Sequence, residues 1–432
     1  MPYRSPKFRE PSKEEVVGTV VELFAGVGGF RIGLARSGWK TIFSNQWEPA
    51  TKSQAASECY VHNFGDSGHT NVNFSDLVAR HLKTDAEIPR SDLIVGGFPC
   101  QDYSVAKSLN SARGLEGKKG VLWWDIHKLI SRNQPRFVFL ENVDRLLKSP
   151  SSQRGRDFAV MLSTLGSLGY LVEWRVANAA DYGFPQRRKR VFIVATRKSK
   201  PNFSMDDAEE CIKTTGVLAR ALPILKPRVE LELVDLSQPV EVISSTFGEG
   251  LDSSPFKNAG VFANDVAYTV AVEARRSSSK KSLGDILVDV PDESSFWVDP
   301  DSINQWKILK DAKRISRTHK ESGRQYFYAE GSMAFPDLLS RPARTILTAE
   351  GGNSPSRFKH IIKIGRRYRR LTPVELERLN GFPDHWTAHS NTKAITDSKR
   401  AFFMGNALVV GLVAKVGSVL ADEMRGQKTQ TQ

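Results

Sequence analysis

The sequence predicts an α/β fold: a Rossmann-like, mostly parallel sheet with helices on its faces, joined to a smaller irregular domain. Three observations predict it. From Thr19 to about Thr196, short apolar β-branched runs alternate with stretches of helical periodicity. A glycine-rich turn follows the first run and opens onto a helix. After Arg197 the alternation stops, Ser, Pro, Asp and charge increase, and regular patterning returns near residue 369.

Residues 1–18 form a polar extension with no apolar stretch to act as a signal peptide, and no run approaches the roughly 18 apolar residues of a membrane span. A soluble, cytoplasmic protein is therefore expected. The runs TVVELF (19–24), DLIVGGF (92–98), RFVFLENV (136–143) and RVFIVAT (190–196) read as buried strands. Segments 30–38, 49–63, 122–132 and 157–168 carry helical periodicity. RRLTPVELERLNGF (369–382) reads as helical and ALVVGLVAKVGSVLADEM (407–424) as an amphipathic helix, ahead of a frayed polar tail. The expected organisation is 1–18 as extension, 19–197 plus 400–425 as the catalytic and cofactor-binding domain, and 198–399 as a second domain and hinge.

With 62 Lys and Arg against 48 Asp and Glu, the net charge of +14 suits a polyanionic partner, although a scattered surface charge gives the same sum. The three cysteines, Cys59, Cys100 and Cys211, form no CxxC pair and no disulfide framework. No metal site is expected.

The chemistry gathers at predicted strand ends. Phe24-Ala25-Gly26-Val27-Gly28-Gly29-Phe30 lacks the third glycine of a dinucleotide fingerprint and the Lys-Ser/Thr of a P-loop. Alone, it fits a structural turn as well as a cofactor site. The next predicted strand ends in Ser44-Asn45-Gln46-Trp47-Glu48, where such folds place a polar group for ribose hydroxyls, and Trp47 can cover an adenine. A cofactor with adenosine but no pyrophosphate fits both places. Cys100, just after Pro99, closes the strand 92–98 at the same sheet edge. A lone cysteine is more often an inert apolar residue than a nucleophile. Glu141 ends the following strand and can act as acid or base, while Arg188 and Arg190, at alternate positions, share one face.

In this order, FAGVGG, GGFPCQ, ENV, QRRKR preceded by NAADYGFP, RRLTPVELERLNGFPD and MGNALVV resemble six blocks of the cytosine-5 DNA methyltransferase family, particularly the bacterial restriction–modification enzymes. The resemblance spans about half the chain, Val20–Thr196 and Arg367–Leu420. It implies an S-adenosylmethionine-dependent methyltransferase fold with a target-recognition domain, and double-stranded DNA in the cleft between them. It places Phe24, Gly26, Gly28, Gln46, Trp47, Asn71, Phe98, Leu122 and Asn406 around the cofactor. Two of these depart from the family's pattern: many relatives have an acidic residue at Gln46 and an Asp near Asn71. Amides can still accept hydrogen bonds there.

The resemblance further implies that the Cys100 thiolate attacks C6 of a flipped-out cytosine. Glu141 would then act at N3, Arg188 at O2, and Arg190 would steady the site. The 101–120 loop, with Ser104, Lys107 and Arg113, would close over DNA. Residues 198–365 would read bases, with Thr345 in a short family element and Arg357, Lys359 and the 364–370 run as contacts. A cognate restriction endonuclease is implied by the resemblance alone. Three alternatives remain: the same chemistry on tRNA, a non-catalytic DNA-binding regulator, and a nicotinamide-dependent oxidoreductase, the last disfavoured by the missing fingerprint.

Overall fold

Gly18–Leu23 (β1) is almost wholly buried, which a strand sustains only inside a sheet covered on both faces. The computed structural model describes residues 3–49, 53–98, 122–198, 202–225, 230–318, 323 and 325–428. With β2 (Trp39–Asn45), β3 (His69–Thr70), β4 (Leu93–Gly97) and β5 (Phe137–Asn142), β1 forms a parallel array in the order β3-β2-β1-β4-β5. The order reverses between β1 and β4, with Leu23 paired to Gly96, so the loops after these strands leave side by side at the carboxyl edge.

Beyond β5 the sheet continues antiparallel. β7 (Lys189–Arg197) pairs with β5, β6 (Tyr170–Asn178) with β7, and β9 (Ala259–Ala263) with β6. β10 (Val266–Val270) and β8 (Glu232–Asp235) complete ten strands. The last three come from the segment expected to lie wholly in a second domain beginning at 198, and that boundary is corrected here. AGVFA at 259–263 is fully buried, and it covers the edge that β6 would otherwise leave unpaired.

Alternation along each strand divides the core. Val21, Leu23, Ile94, Val138 and Leu140 face α3 (Phe74–Thr84), α4 (Leu122–Asn133) and α5 (Arg156–Ser167). Val20, Leu93, Val95, Phe137 and Phe139 face the opposite way, toward α1 (Gly29–Ala35) and the C-terminal helix. The segment expected to be helical from 49 begins later, as α2 (Ala55–Phe64). Ile303–Lys310 is α6. The expected helix at 369–382 starts only at Pro373: β14 (Arg367–Arg370) pairs with β13 (Ile361–Ile364), Thr372 caps α7 (Pro373–Asn380), and Glu375 completes the capping box.

After α8 (Asp397–Asn406) the chain returns as α9 (Val410–Lys428), packed on α1. The Trp39 indole donates to the Gly417 carbonyl at 2.9 Å. A third core joins Val27 and Ile32, beside the glycine turn, to Ile346, Ile362, Leu376, Leu379 and Met404. The polar extension packs as well: Phe8 meets Phe64 edge-on with ring centroids 4.9 Å apart. The Ser5 hydroxyl accepts from the Asp384 amide at 2.7 Å. Among the described residues, no single helix is long and apolar enough to cross a membrane.

At the α1–α9 contact a Cβ on Gly33 would fall 2.7 Å from Val413. Gly33→Leu is therefore expected to lower the free energy of unfolding by about 1–3 kcal/mol through overpacking, read from a denaturant titration.

Candidate functional site

The turn after β1 is built from backbone geometry that few side chains tolerate. Phe24 is held at φ +53°, Gly26 at +56° and Gly28 at +88°. A Cβ on Gly26 would meet nothing within 4 Å, so the turn is open on that side, whereas one on Gly28 would lie 2.2 Å from the Phe64 ring. Phe24 is half-buried and edge-on to Phe74 at 4.9 Å. Trp47 and Asn406 are exposed, and Leu408, two residues after Asn406, packs beside Gly29. Among the described residues these features leave a rim open around the turn, where an adenosine-bearing cofactor fits. Phe98 is buried near Trp123, and Leu122, the first residue of α4, packs on the same core.

Gln46 departs from expectation. Its Oε1 accepts from the Gly26 amide at 2.7 Å, so this oxygen closes the glycine turn instead of being offered to a ribose. Asn71 lies one step outward: Nδ2 donates to the Gln46 carbonyl and, at 3.0 Å, to Gln54 Oε1. Asn71 is exposed, and its Oδ1 can still accept from an amine. Glu48 turns away to Lys399 of α8 at 3.4 Å.

Sequence reasoning missed the carboxylate beneath the turn. Glu22 is fully buried and accepts from the Tyr60 hydroxyl at 2.9 Å and the Arg31 amide at 3.3 Å. Burial pushes its carboxyl up to about 7 against the pull of Tyr60 and Arg31. The available signal was a lone charge inside the apolar run TVVELF.

At the β4–β5 edge, Glu141 is cross-strand from Gly97. Its Oε1 lies 2.8 Å from Arg190 Nε. Asn142 Nδ2 donates to the Phe98 carbonyl at 3.0 Å and fixes the backbone leading to Cys100. Cys100 lies outside the described residues, as do Ser104, Lys107 and Arg113. The other two thiols are buried: burial pushes Cys59 up to about 12 and Cys211 upward as well. Neither furnishes a thiolate at neutral pH.

Arg188 is anchored to backbone carbonyls. Its guanidinium is buried, with Nη1 donating to the Ile346 carbonyl at 3.2 Å and Nη2 to Gly405 at 3.0 Å. Only Nε remains without a partner among the described residues. Burial and then the nearby Arg190 push its pKa down to about 9, while Glu141 opposes them. Gly405 is required because a Cβ there would meet the Thr348 amide nitrogen at 2.5 Å. The Thr345 hydroxyl, expected to face DNA, donates to the Arg187 carbonyl at 2.6 Å.

Arg357 is no phosphate contact. It is buried, pairs with Glu330 at 2.9 Å, and donates to the carbonyls of Leu309, Asp311 and Gly331. Lys359, Arg369 and Arg370 are likewise buried: Lys359 binds the Gly352 and Ser354 carbonyls, Arg369 pairs with Glu375, and Arg370 bonds to Ser295 and Asn353. A cleft of about 1230 Å³ lies elsewhere, lined by Lys148, Arg154, Lys189 and Asp252 among others. Its lining takes residues from both sheet faces, Leu147 and Phe256 on one and Tyr182 and Ala274 on the other, and includes neither Glu141 nor Arg190.

The family model for C-5 cytosine-specific DNA methylases matches residues 18–422. The chain is 45% identical over 408 residues to the type II methyltransferase M.Sau3AI of Staphylococcus aureus, covering 92% of this chain and 94% of that one. It is 33% identical to M.NlaIV of Neisseria lactamica, covering 93% and 98%. In fold it resembles the S. pombe Dnmt2 methyltransferase, with a TM-score of 0.55 and 16% identity over 94% of this chain and 98% of that one.

The Glu22 carboxyl sets a pH dependence. Because its folded-state value is raised from 4.5 to about 7, its contribution to stability is fully present below about pH 4.5 and lost as pH rises through about 7. Glu22→Gln, which keeps a neutral side chain, is expected to flatten the fall in denaturation midpoint between pH 5 and pH 8.

Proposed function

The chain belongs to the C-5 cytosine-specific DNA methylase family, and on that premise we propose that Cys100 is the nucleophile attacking C6 of a cytosine rotated out of duplex DNA. The protein is a DNA cytosine-5 methyltransferase. The observation that carries the site assignment is the cluster at the β5–β7 edge: Glu141 in ion-pair contact with Arg190, near Arg188, with Glu141 Oε1 and Arg188 Nε both buried and without a hydrogen-bond partner among the described residues.

S-adenosylmethionine supplies an electrophilic methyl group on a sulfonium. The open turn around Gly26, the exposed Trp47 and Asn406, and the Asn71 oxygen fit its adenosine and amino-acid ends. The chain's own residues make the acceptor carbon reactive. The Cys100 thiolate adds to C6, and the C5=C6 electrons move onto the ring, which Glu141 supports by donating to N3. Arg188 Nε–H, without a partner among the described residues, is the donor assigned to O2, where it would support the charge that develops. C5 would then attack the methyl carbon as its bond to the sulfonium sulfur breaks, the donor leaving as the neutral thioether, while the proton shared with N3 returns to Glu141. Loss of the C5 proton restores the double bond as the C6–S bond breaks and Cys100 leaves. Rotating the cytosine out costs a few kcal/mol, about what unstacking one base requires.

The type II designation of the relatives supports, as part of this reading, a protective role beside a cognate endonuclease acting on the same sequence. Bisulfite sequencing of DNA from cells expressing the chain, grown with and without that endonuclease, reads the product and its position.

With an oligonucleotide carrying 5-fluorocytosine at the target, the C5 fluorine cannot leave as a proton does. The wild-type protein with methyl donor is expected to form a denaturation-resistant adduct, and Cys100→Ser to form none and to methylate no DNA. An adduct mapped to another residue would refute the assignment. Glu141→Gln is expected to lower kcat by about 10²–10⁴-fold, the usual yield of general acid catalysis, in single-turnover methylation.

A further inference from the structure

β11 (Lys313–Thr318) and β12 (Gln325–Glu330) pair only with each other, as an antiparallel two-stranded ribbon. Such a ribbon is marginal in water unless something holds it. Here its two feet are fastened. Arg357 reaches the carbonyls of Leu309 and Asp311 before β11, and Glu330 and the Gly331 carbonyl at the end of β12. Lys310 donates to the Lys359 carbonyl at 2.7 Å, and its own carbonyl accepts from the Met333 amide at 2.7 Å.

The register assigns the side chains to faces. Arg314 opposes Ala329, Ser316 opposes Phe327, and Thr318 opposes Gln325, so these six share one face. All six are exposed, and Phe327 is 64% exposed. On the other face Lys313, Tyr328 and Glu330 are half-buried. The Arg314 guanidinium lies over the Phe327 ring, 4.3 Å from its centroid, without a carboxylate partner among the described residues. Neighbouring arginines are consumed: Arg344 by Asp337, Arg357 by Glu330, Arg367 by Asp292 and Arg369 by Glu375.

We infer that this exposed face enters the DNA major groove and reads base edges of the target sequence. The inference rests on the DNA-methylating reading of the site above. A two-stranded ribbon is one of the two elements the major groove admits, and six residues per strand give a length of about 20 Å. The face carries the functional groups that discriminate bases there. Arg314 matches guanine O6 and N7, and Gln325 matches adenine N6 and N7. Ser316 and Thr318 can bond to either, and Phe327 and Ala329 suit the thymine methyl. The ribbon is also tied to the catalytic edge: Arg344 bonds to Asp337 and to the Lys359 carbonyl, and Ile346, two residues on, accepts from Arg188.

The test uses the full-length protein, S-adenosylmethionine and a pool of duplexes randomised around a cytosine, with bisulfite sequencing of the products and kcat and KM for DNA on the wild-type target. Arg314→Ala and Gln325→Ala alter solvent-exposed side chains and leave both feet intact. Each is expected to raise KM for DNA about tenfold or more, with kcat at saturating DNA held within about threefold, as loss of a base contact implies. Arg314→Ala should relax selection at one guanine and Gln325→Ala at one adenine. Variants that keep the wild-type motif and KM would overturn the ribbon assignment alone, as a protein-docking role for this face would require. A wild-type protein that leaves no 5-methylcytosine in the pool would instead overturn the reading of the active site, and this inference with it.

Discussion

A buried guanidinium governs how this molecule is assembled. Arg188 sits where a charge is costly unless its donors are met. Its terminal nitrogens are satisfied by carbonyls 158 and 217 residues further along the chain, at Ile346 and Gly405. Adjacent Gln186 is buried too, bonding to Asn380 at 2.7 Å and accepting from the Ile346 amide. The segment 343–348, α7 and α8 must therefore be seated before the β5–β7 edge is complete. The one donor left over, Arg188 Nε, borders the Glu141–Arg190 pair.

The cofactor end follows a similar economy. The glycine turn is strained at Phe24 and held from beneath by Glu22 and from the side by Gln46. Asn71 and Gln54 brace Gln46 in turn. The turn stays open where Gly26 has no neighbour and is packed shut where Gly28 meets Phe64.

Positive charge is divided between scaffold and surface. Of the basic residues near the C-terminal end of the target-side segment, Arg357, Lys359, Arg369 and Arg370 are buried in carbonyl and carboxylate bonds. A loop-rich region with few long strands satisfies its backbone carbonyls with long cationic side chains, which explains how an irregular segment holds a fixed shape. The net charge of +14 therefore overstates what is available to phosphates. Arg314, left free on a ribbon that Arg357 fastens, is an exception with a position to match.

The sequence by itself determined what depends on neighbours along the chain. Alternating β-branched runs located β1, β4, β5 and β7 to within a few residues, and glycine marked the turn because only glycine adopts its dihedrals freely. Glu141 and Arg190 could be placed at a sheet edge because one lies at the end of β5 and the other at the start of β7, and the antiparallel pairing brings those two termini together. Tertiary structure alone decided the rest. That β8–β10 join the main sheet, that Gln46 serves the turn, that Arg357 is a clamp, and that Arg188 is tied to Ile346 and Gly405 depends on which amide, carbonyl or edge the fold brings alongside. A hydrogen bond is specific only once both partners are placed, and no local pattern records a partner more than 150 residues away.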